Sequence, residues 1–262
     1  MLSEEIKNKI LSTLNAMKPI SLSEMDSVEL LNRFDTKYVI HISRLIELLE
    51  LIKYDYRILE VGGVRLSRYN NLYFDTPDYK FYFDHHNGKA NRLKIRCRSY
   101  ADSGVTFFEV KKKNNKDKTE KARVSTPAID ECISEFQGEL IKGVDANIDT
   151  AQLKPMQRND FYRMTLVNIK TMERATIDVD LAFCRNGSNE KLEMPNLVIV
   201  EVKQDVHSGI SPITRKLKAE KIYKTSISKY ILGELLLNKT LKRNNFKAKL
   251  LTIKNIEHAL VA

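Results

Sequence analysis

Arg92-Leu93-Lys94-Ile95-Arg96-Cys97-Arg98 is the stretch on which the reading of this chain turns. Taken as a β-strand, whose side chains alternate between faces, it places Arg92, Lys94, Arg96 and Arg98 on one side and Leu93, Ile95 and Cys97 on the other. Next-but-one residues on a strand lie about 6.6 Å apart, so neighbouring like charges repel by roughly 2–3 kcal/mol at an effective dielectric of about 20. Water screens that repulsion on an outer face, whereas a bound polyanion converts it into affinity.

The same alternation recurs on both sides of this stretch. Upstream, residues 33–40 read as a strand with Arg33, Asp35 and Lys37 in phase, and 65–75 as a strand with Tyr69, Asn71, Tyr73 and Asp75 in phase. Downstream, 106–111 carries Glu109 and Lys111, and a lysine-rich hairpin loop over 112–118 leads to a strand with Lys121 and Arg123. Residues 161–169 then carry Arg163, 173–183 place Arg174, Thr176, Asp178 and Asp180 in phase, and 197–203 end on Glu201 and Lys203. Two of these strands close on the same Glu-Val-Lys triplet.

Helical spacing appears between the strands. Ile6, Ile10, Leu14 and Met17 mark an N-terminal amphipathic helix, and a shorter helical turn is predicted over 23–31. Ser43 opens a helix bearing Leu45, Leu48, Leu49 and Ile52, and Thr126-Pro127 one bearing Ile129, Ile133, Phe136 and Leu140 that stops at Gly143. Ser211-Pro212 caps a short helix, and the last long one is predicted over 226–237. With no internal repeat and no linker, the expectation is a single α+β domain over 1–262: a helical extension at 1–30, a main domain at 31–240 and a tail at 241–262.

An open sheet with this pattern turns its charges to water. A closed antiparallel barrel with helices packed outside turns the same residues inward to line a tunnel. The abundance of Arg, the recurring carboxylates and the apolar helix stripes that need sheet surface to cover favour the tunnel. Arg offers planar forks to phosphate oxygens and Lys a mobile point charge, while Asp and Glu are the hard oxygen ligands that Mg²⁺ or Mn²⁺ takes. The implied ligand is a nucleoside triphosphate or inorganic polyphosphate.

Composition agrees. A net charge of +10 points to an anionic partner, and 42% hydrophobic with 30% charged residues suits a globular fold. The three cysteines, Cys97, Cys132 and Cys184, are widely spaced, which suggests reduced thiols and a cytoplasmic protein; no apolar leader is seen at the N-terminus. The phosphate-cradling GxxxxGK[ST] loop, the GxGxxG turn and the HExxH zinc motif are absent. His85 and His86 are adjacent, so on a strand they face opposite sides, and His41, His207 and His258 stand alone and are expected at the surface.

Residues 33–38, Tyr73-Phe74-Asp75-Thr76, the 92–98 strand, the Glu-Val-Lys pair, Thr176-Ile177-Asp178 and Ser226-Ile227-Ser228-Lys229-Tyr230 occur in an order that resembles the catalytic domain of the vacuolar transporter chaperone complex. That domain is the polyphosphate polymerase of the triphosphate tunnel metalloenzyme superfamily. The resemblance implies an eight-stranded antiparallel tunnel, a divalent metal, usually Mn²⁺, and transfer of the ATP γ-phosphate to a growing polyphosphate chain. By position it implies Lys37, Lys94, Arg96, Arg98, Lys111, Arg163, Arg174 and Lys203 on the phosphates, Glu201 on the metal, and Ser228 and Lys229 at the tunnel mouth. The face pattern adds Arg33, Arg92, Lys121 and Arg123 as further phosphate ligands, and Glu109, Asp178 and Asp180 as further metal or water ligands. Triphosphate hydrolases of the same superfamily and a non-catalytic polyanion binder are the alternatives.

Overall fold

The structure, a computed structural model, describes residues 1–26, 33–115, 119–205 and 210–259. In chain order the elements are α1 (Glu4–Ala16), β1 (Lys18–Ile20), α2 (Leu22–Asp26), β2 (Arg33–His41), α3 (Ile42–Ile52), β3 (Arg57–Leu59), β4 (Ser67–Asp75) and α4 (Lys80–His86). There follow β5 (Arg92–Tyr100), β6 (Val105–Lys113), β7 (Thr119–Thr126), α5 (Glu135–Val144), β8 (Lys154–Asn168) and β9 (Glu173–Arg185). The chain ends with β10 (Lys191–Met194), β11 (Leu197–Asp205), α6 (Pro212–Ala219), α7 (Lys229–Leu237) and α8 (Lys247–Glu257). His207, the end of the helical turn expected over 23–31 and part of the lysine-rich loop lie outside the described residues.

Eight strands form one antiparallel path in the order β2-β11-β9-β8-β4-β5-β6-β7, with β1, β3 and β10 attached at its side. Among the described residues β2 and β7 are the two ends of this path and do not pair with each other, so hydrogen bonds do not close the expected barrel. The sheet bends at register shifts in β4 against β8, between Tyr73 and Phe74, and in β8 against β9, between Asp160 and Tyr162. Such bulges sharpen strand twist and curvature.

The outward face is apolar and covered by helices, as alternation requires. Ile10 and Leu14 of α1, Leu45, Leu48 and Leu49 of α3, and Ile213 and Leu217 of α6 pack on Tyr38, Ile40, Val198, Val200, Ala175, Ile177, Met164 and Leu166. Ile141 and Val144 of α5 pack with Leu72, Phe74, Leu93, Ile95, Cys97, Phe108 and Val110. The last two helices depart from the expectation that all helices lie outside. Tyr230, Ile231, Leu232 and Leu235 of α7, with Leu250 and Ile253 of α8, pack on Val39, Ile199, Tyr69, Tyr73 and Phe161. Those strand residues share the face that carries Lys37, Glu201 and Arg163. Part of the charged face is therefore apolar and covered by α7, whose residues are mostly apolar apart from Lys229 and Glu234, as suits a helix buried over most of its length.

Helix ends also differ from expectation. α3 begins at Ile42 because His41 caps it, its Nδ1 accepting from the Ser43 N–H at 3.2 Å; His41 is buried, not a surface residue. His85 and His86 sit on α4 and not on a strand. α5 starts at Glu135, not near Pro127, because Ser134 and Gln137 form a reciprocal capping box there. α7 starts at Lys229, so Ser226 and Ile227 are not helical.

Gly233 shows how tightly α7 is seated. A Cβ at this position would lie 2.4–2.5 Å from the end of the Gln157 side chain. Gln157 is fully buried and held by donating to the Tyr230 carbonyl at 3.0 Å and to Glu234 Oε1 at 3.1 Å, so it cannot swing away. Gly233→Ala is expected to destabilise the fold by about 1–3 kcal/mol, read as a lower urea midpoint at unchanged slope.

Candidate functional site: a cationic face with paired carboxylates

Strand register brings the predicted charges into three groups on one face. In the first, Lys37 of β2 lies opposite Glu201 of β11, and Lys37 Nζ meets Glu201 Oε1 at 2.5 Å while Lys203 Nζ meets Oε2 at 3.1 Å. Burial alone would raise the Glu201 carboxyl, but Lys203 and Lys37 outweigh it and hold it well below the ordinary range.

In the second, Arg163 of β8 lies opposite Asp178 of β9 and grips it with two hydrogen bonds, Nε to Oδ1 at 2.6 Å and Nη2 to Oδ2 at 2.8 Å. Lys229, the first residue of α7, donates to the same Oδ2. Burial opposes ionisation of Asp178, yet Arg163 and Lys229 hold its carboxyl at about 2.

The third is the strand that opened the sequence reading. Arg96 Nε donates to Glu109 Oε2 at 2.6 Å, and Arg98 Nε to Asn71 Oδ1 at 2.8 Å. Lys94 Nζ sits 4.9 Å from the centre of the Tyr73 ring. Lys111, opposite Lys94 on β6, is pushed down to about 6 by burial and then by Arg96, so its amine is largely uncharged at neutral pH. Lys94 is pushed down to about 8 by burial, with Arg96 and Arg98 adding to the effect. Glu109 is held at about 2 because Arg96, Arg98 and Lys111 outweigh its burial.

The groups form one field. Arg163 is within electrostatic reach of Glu201 and Arg98, and Lys229 of Tyr73 and Lys94. Buried polar atoms on this face, Tyr73 Oη, Asn159 Nδ2 and Thr176 Oγ1, lack a well-aligned partner. None of the three was singled out as a site residue from sequence, although Tyr73 and Thr176 were in phase with the charges.

The remaining predicted residues lie at the edges. Arg92 is at the start of β5, near His85 and Lys249; burial and these cations bring the imidazole down to about 4. Lys121 and Arg123 are exposed on the end strand β7, with Arg123 over the Phe107 ring at 4.8 Å. Arg174 reaches past the sheet, its Nη2 donating to the Met25 carbonyl at 2.9 Å. Ser228 is the N-cap residue of α7, next to Lys229. Arg33 opens β2, and its side chain lies outside the described residues.

Asp180 does not join the other carboxylates. Its backbone is left-handed, with φ 54°, beside the β8–β9 bulge, and its Oδ1 accepts the Leu2 N–H at 2.7 Å. The bulge breaks the period of two that put it in phase with Asp178. Among the described residues no three His, Cys, Asp or Glu side chains converge as a metal cage. Nor is any helix of the described residues long and apolar enough to cross a membrane.

No curated protein matches the chain. Among solved structures it is similar to a candidate adenylate cyclase from Bacillus halodurans, at 15% identity and TM-score 0.46, over 77% of this chain and 96% of that one. A candidate adenylate cyclase from Vibrio parahaemolyticus is 10% identical at TM-score 0.44, over 77% and 98% of the two chains. A candidate adenylyl cyclase from Hippeastrum, described as having a dominant triphosphatase activity, is 13% identical at TM-score 0.44, over 78% and 95%. The family model of the VTC domain matches residues 32–238, which takes in every strand of the antiparallel path and α7 with its Lys229: the chain belongs to the VTC-domain family.

Proposed function

We propose that this protein is a metal-dependent polyphosphate polymerase that transfers the γ-phosphate of ATP to a growing chain held along the cationic face. One observation carries the reading: Lys37, Lys94, Arg96, Arg98, Lys111, Arg163, Lys203 and Lys229 share a largely buried face on which they outnumber the carboxylates that face them among the described residues, Glu109, Asp178, Glu201 and, opposite Lys203, Asp35. That surplus runs across strands from β2 to β6 and suits an extended polyanion better than a single triphosphate. In this reading the curved path encloses the bound chain as a tunnel.

The residues on the face do the work by position and charge. Arg96, Arg98 and Arg163 present guanidinium forks to non-bridging phosphate oxygens and fix their orientation. Lys37, Lys94, Lys111, Lys203 and Lys229 spread positive charge over the transferring phosphoryl group, where negative charge develops. The terminal phosphate of the chain is already anionic at neutral pH, so it attacks in line without a general base. The carboxylates fit a hard divalent cation that is shared with phosphate oxygens and water. Glu201 would hold Mn²⁺ or Mg²⁺, with Glu109 and Asp178 as further candidate ligands, and the ion when bound would neutralise phosphate charge. The free thiols of Cys97, Cys132 and Cys184 suit the reducing, ATP-rich cytoplasm where we place the enzyme.

The test is to incubate the protein with ATP and Mn²⁺, stain a gel for polyphosphate and assay free phosphate. Arg96→Lys, which keeps a partner for Glu109, and Glu201→Gln serve as controls. Metal-dependent polymer that both substitutions diminish at least tenfold is the expected result. Free phosphate without polymer would make the protein a triphosphatase, and binding with steep salt dependence but no product would make it a polyanion-binding module.

A further inference from the structure

Tyr73 is only 1% exposed, and its hydroxyl, though the Arg96 guanidinium is within reach, has no well-aligned hydrogen-bond partner. A buried hydroxyl left in this state costs about 1–3 kcal/mol, and a phenylalanine would fill the same space without that cost. The polar neighbours on the face are mostly satisfied: Arg96 by Glu109, Arg98 by Asn71, Asp178 by Arg163 and Lys229.

The groups facing Tyr73 are strongly one-sided. β5 contributes Lys94, Arg96 and Arg98, and α7 contributes Lys229 and the Tyr230 ring, 5.5 Å away between centres. β8 contributes Gln157, paired with Tyr73 in register and itself bonded to Tyr230 and Glu234. On β4 itself, Asp75 turns its oxygens to the N–H groups of Thr76, Phe81 and Tyr82 and to the Tyr230 hydroxyl. Glu109 of β6 is engaged by Arg96. Four cations thus act on this oxygen, while the carboxylates near it, Asp75 and Glu109, are engaged by other groups.

We infer that Tyr73 is a phosphate-contacting residue, whose oxygen balances the surrounding cations before phosphate binds and whose hydroxyl donates to a phosphate oxygen afterwards. The inference rests on the reading of the face as a phosphate-chain site. No covalent bond changes: the phenolate takes one proton from solvent as the phosphates arrive, and the resulting O–H becomes the donor. Burial would raise the phenol, but Lys94, Arg96, Arg98 and Lys229 bring it down to about 6, so it is ionised at mildly alkaline pH. Phosphate charge raises it again. Lys111 and Lys94 take up protons for the same reason, so total proton uptake does not identify the tyrosine, whereas its ultraviolet absorbance does.

Wild type and Tyr73→Phe are to be titrated with inorganic tripolyphosphate from acid to mildly alkaline pH, by calorimetry and by the near-ultraviolet tyrosinate band. Expected in the wild type is a tyrosinate that forms near pH 6 and disappears when tripolyphosphate binds. Tyr73→Phe lacks that band and binds roughly tenfold or more weaker at acid pH, where only the donated hydrogen bond is lost. The gap narrows as pH rises, because the wild type must then protonate its phenolate, at up to about tenfold per pH unit. A role in packing alone predicts a gap that does not change with pH. Equal binding at every pH, or binding without change in the tyrosinate band, overturns the inference while leaving the functional reading intact. A wild type that does not bind tripolyphosphate overturns that reading itself. Should Tyr73→Phe fail to fold, the wild-type spectral titration decides alone.

Discussion

Lys111→Met is expected to lower the rate of phosphoryl transfer by about 10²–10³-fold, the typical cost of removing one preorganised donor, while leaving the fold as stable as before or more so. Most losses of a buried charge strand its partner, but among the described residues Lys111 forms no ion pair: Glu109, the carboxylate that acts on it, is engaged by Arg96. Burial and Arg96 lower its amine to about 6, so near neutrality it sits largely uncharged in the folded protein. An unfolded lysine titrates near 10.4. Its folded value is the lower one, so the unfolded state binds more protons between these limits, and the lysine weakens the fold most at acid pH, less as pH rises. Methionine has similar length and removes that penalty. Phosphate reverses the balance, since its charge favours the ammonium and recruits a cation that the unliganded protein keeps neutral. The check is a pair of measurements, steady-state transfer from ATP and thermal unfolding at neutral pH. A large fall in melting temperature, or full activity, would show that Lys111 is held by something other than its cationic neighbours.

Alternation is what made this face legible from sequence. Wherever a strand keeps its period of two, as Arg92 to Arg98 or Glu201 and Lys203 do, side-chain direction follows from position alone, and the structure puts those residues on one face. Asp180 fails for the same reason that the others succeed. A bulge and a left-handed backbone are local accidents of pairing, and nothing in the spacing of Asp178 and Asp180 announces them. The place of the covering helix α7 does not follow from its sequence, because apolar residues on most of its sides leave no stripe to say which face it covers. Its meaning emerges only when Tyr230 is seen to donate to Asp75 at 2.6 Å, joining two sequence motifs 155 positions apart. Nothing in its spacing separates Tyr73 from an aromatic residue that packs on a strand, and only the cations around its hydroxyl distinguish it.

Asp178→Asn should destabilise the fold by about 3–5 kcal/mol, the cost of breaking a buried charge pair from one side. The Asp178 side chain is 3% exposed and holds two cations at once, Arg163 through a fork and Lys229 through one oxygen. Asparagine keeps the shape and one acceptor but cannot neutralise them, and Arg163 and Lys229 then repel each other in a site that excludes water. For a chain of this size the fall in melting temperature would be about 6–20 °C. A polyanion supplies the missing charge, so tripolyphosphate should bind the variant with a lower Kd and, at one fixed concentration, raise its melting temperature more than that of the wild type, each protein gaining roughly 2.7 kcal/mol at a hundredfold excess over its own Kd. Acid gives an independent signature. The wild-type carboxyl is held at about 2, against about 3.9 when unfolded, so its contribution is complete above pH 4 and is lost as pH falls toward 2. Glu109, also near 2, titrates in both proteins and cancels in the comparison, so the wild-type advantage should shrink over that window with the slope of a single-site loss. An advantage unchanged across the window would mean that Asp178 acts through the second acceptor oxygen that asparagine lacks and not through its charge.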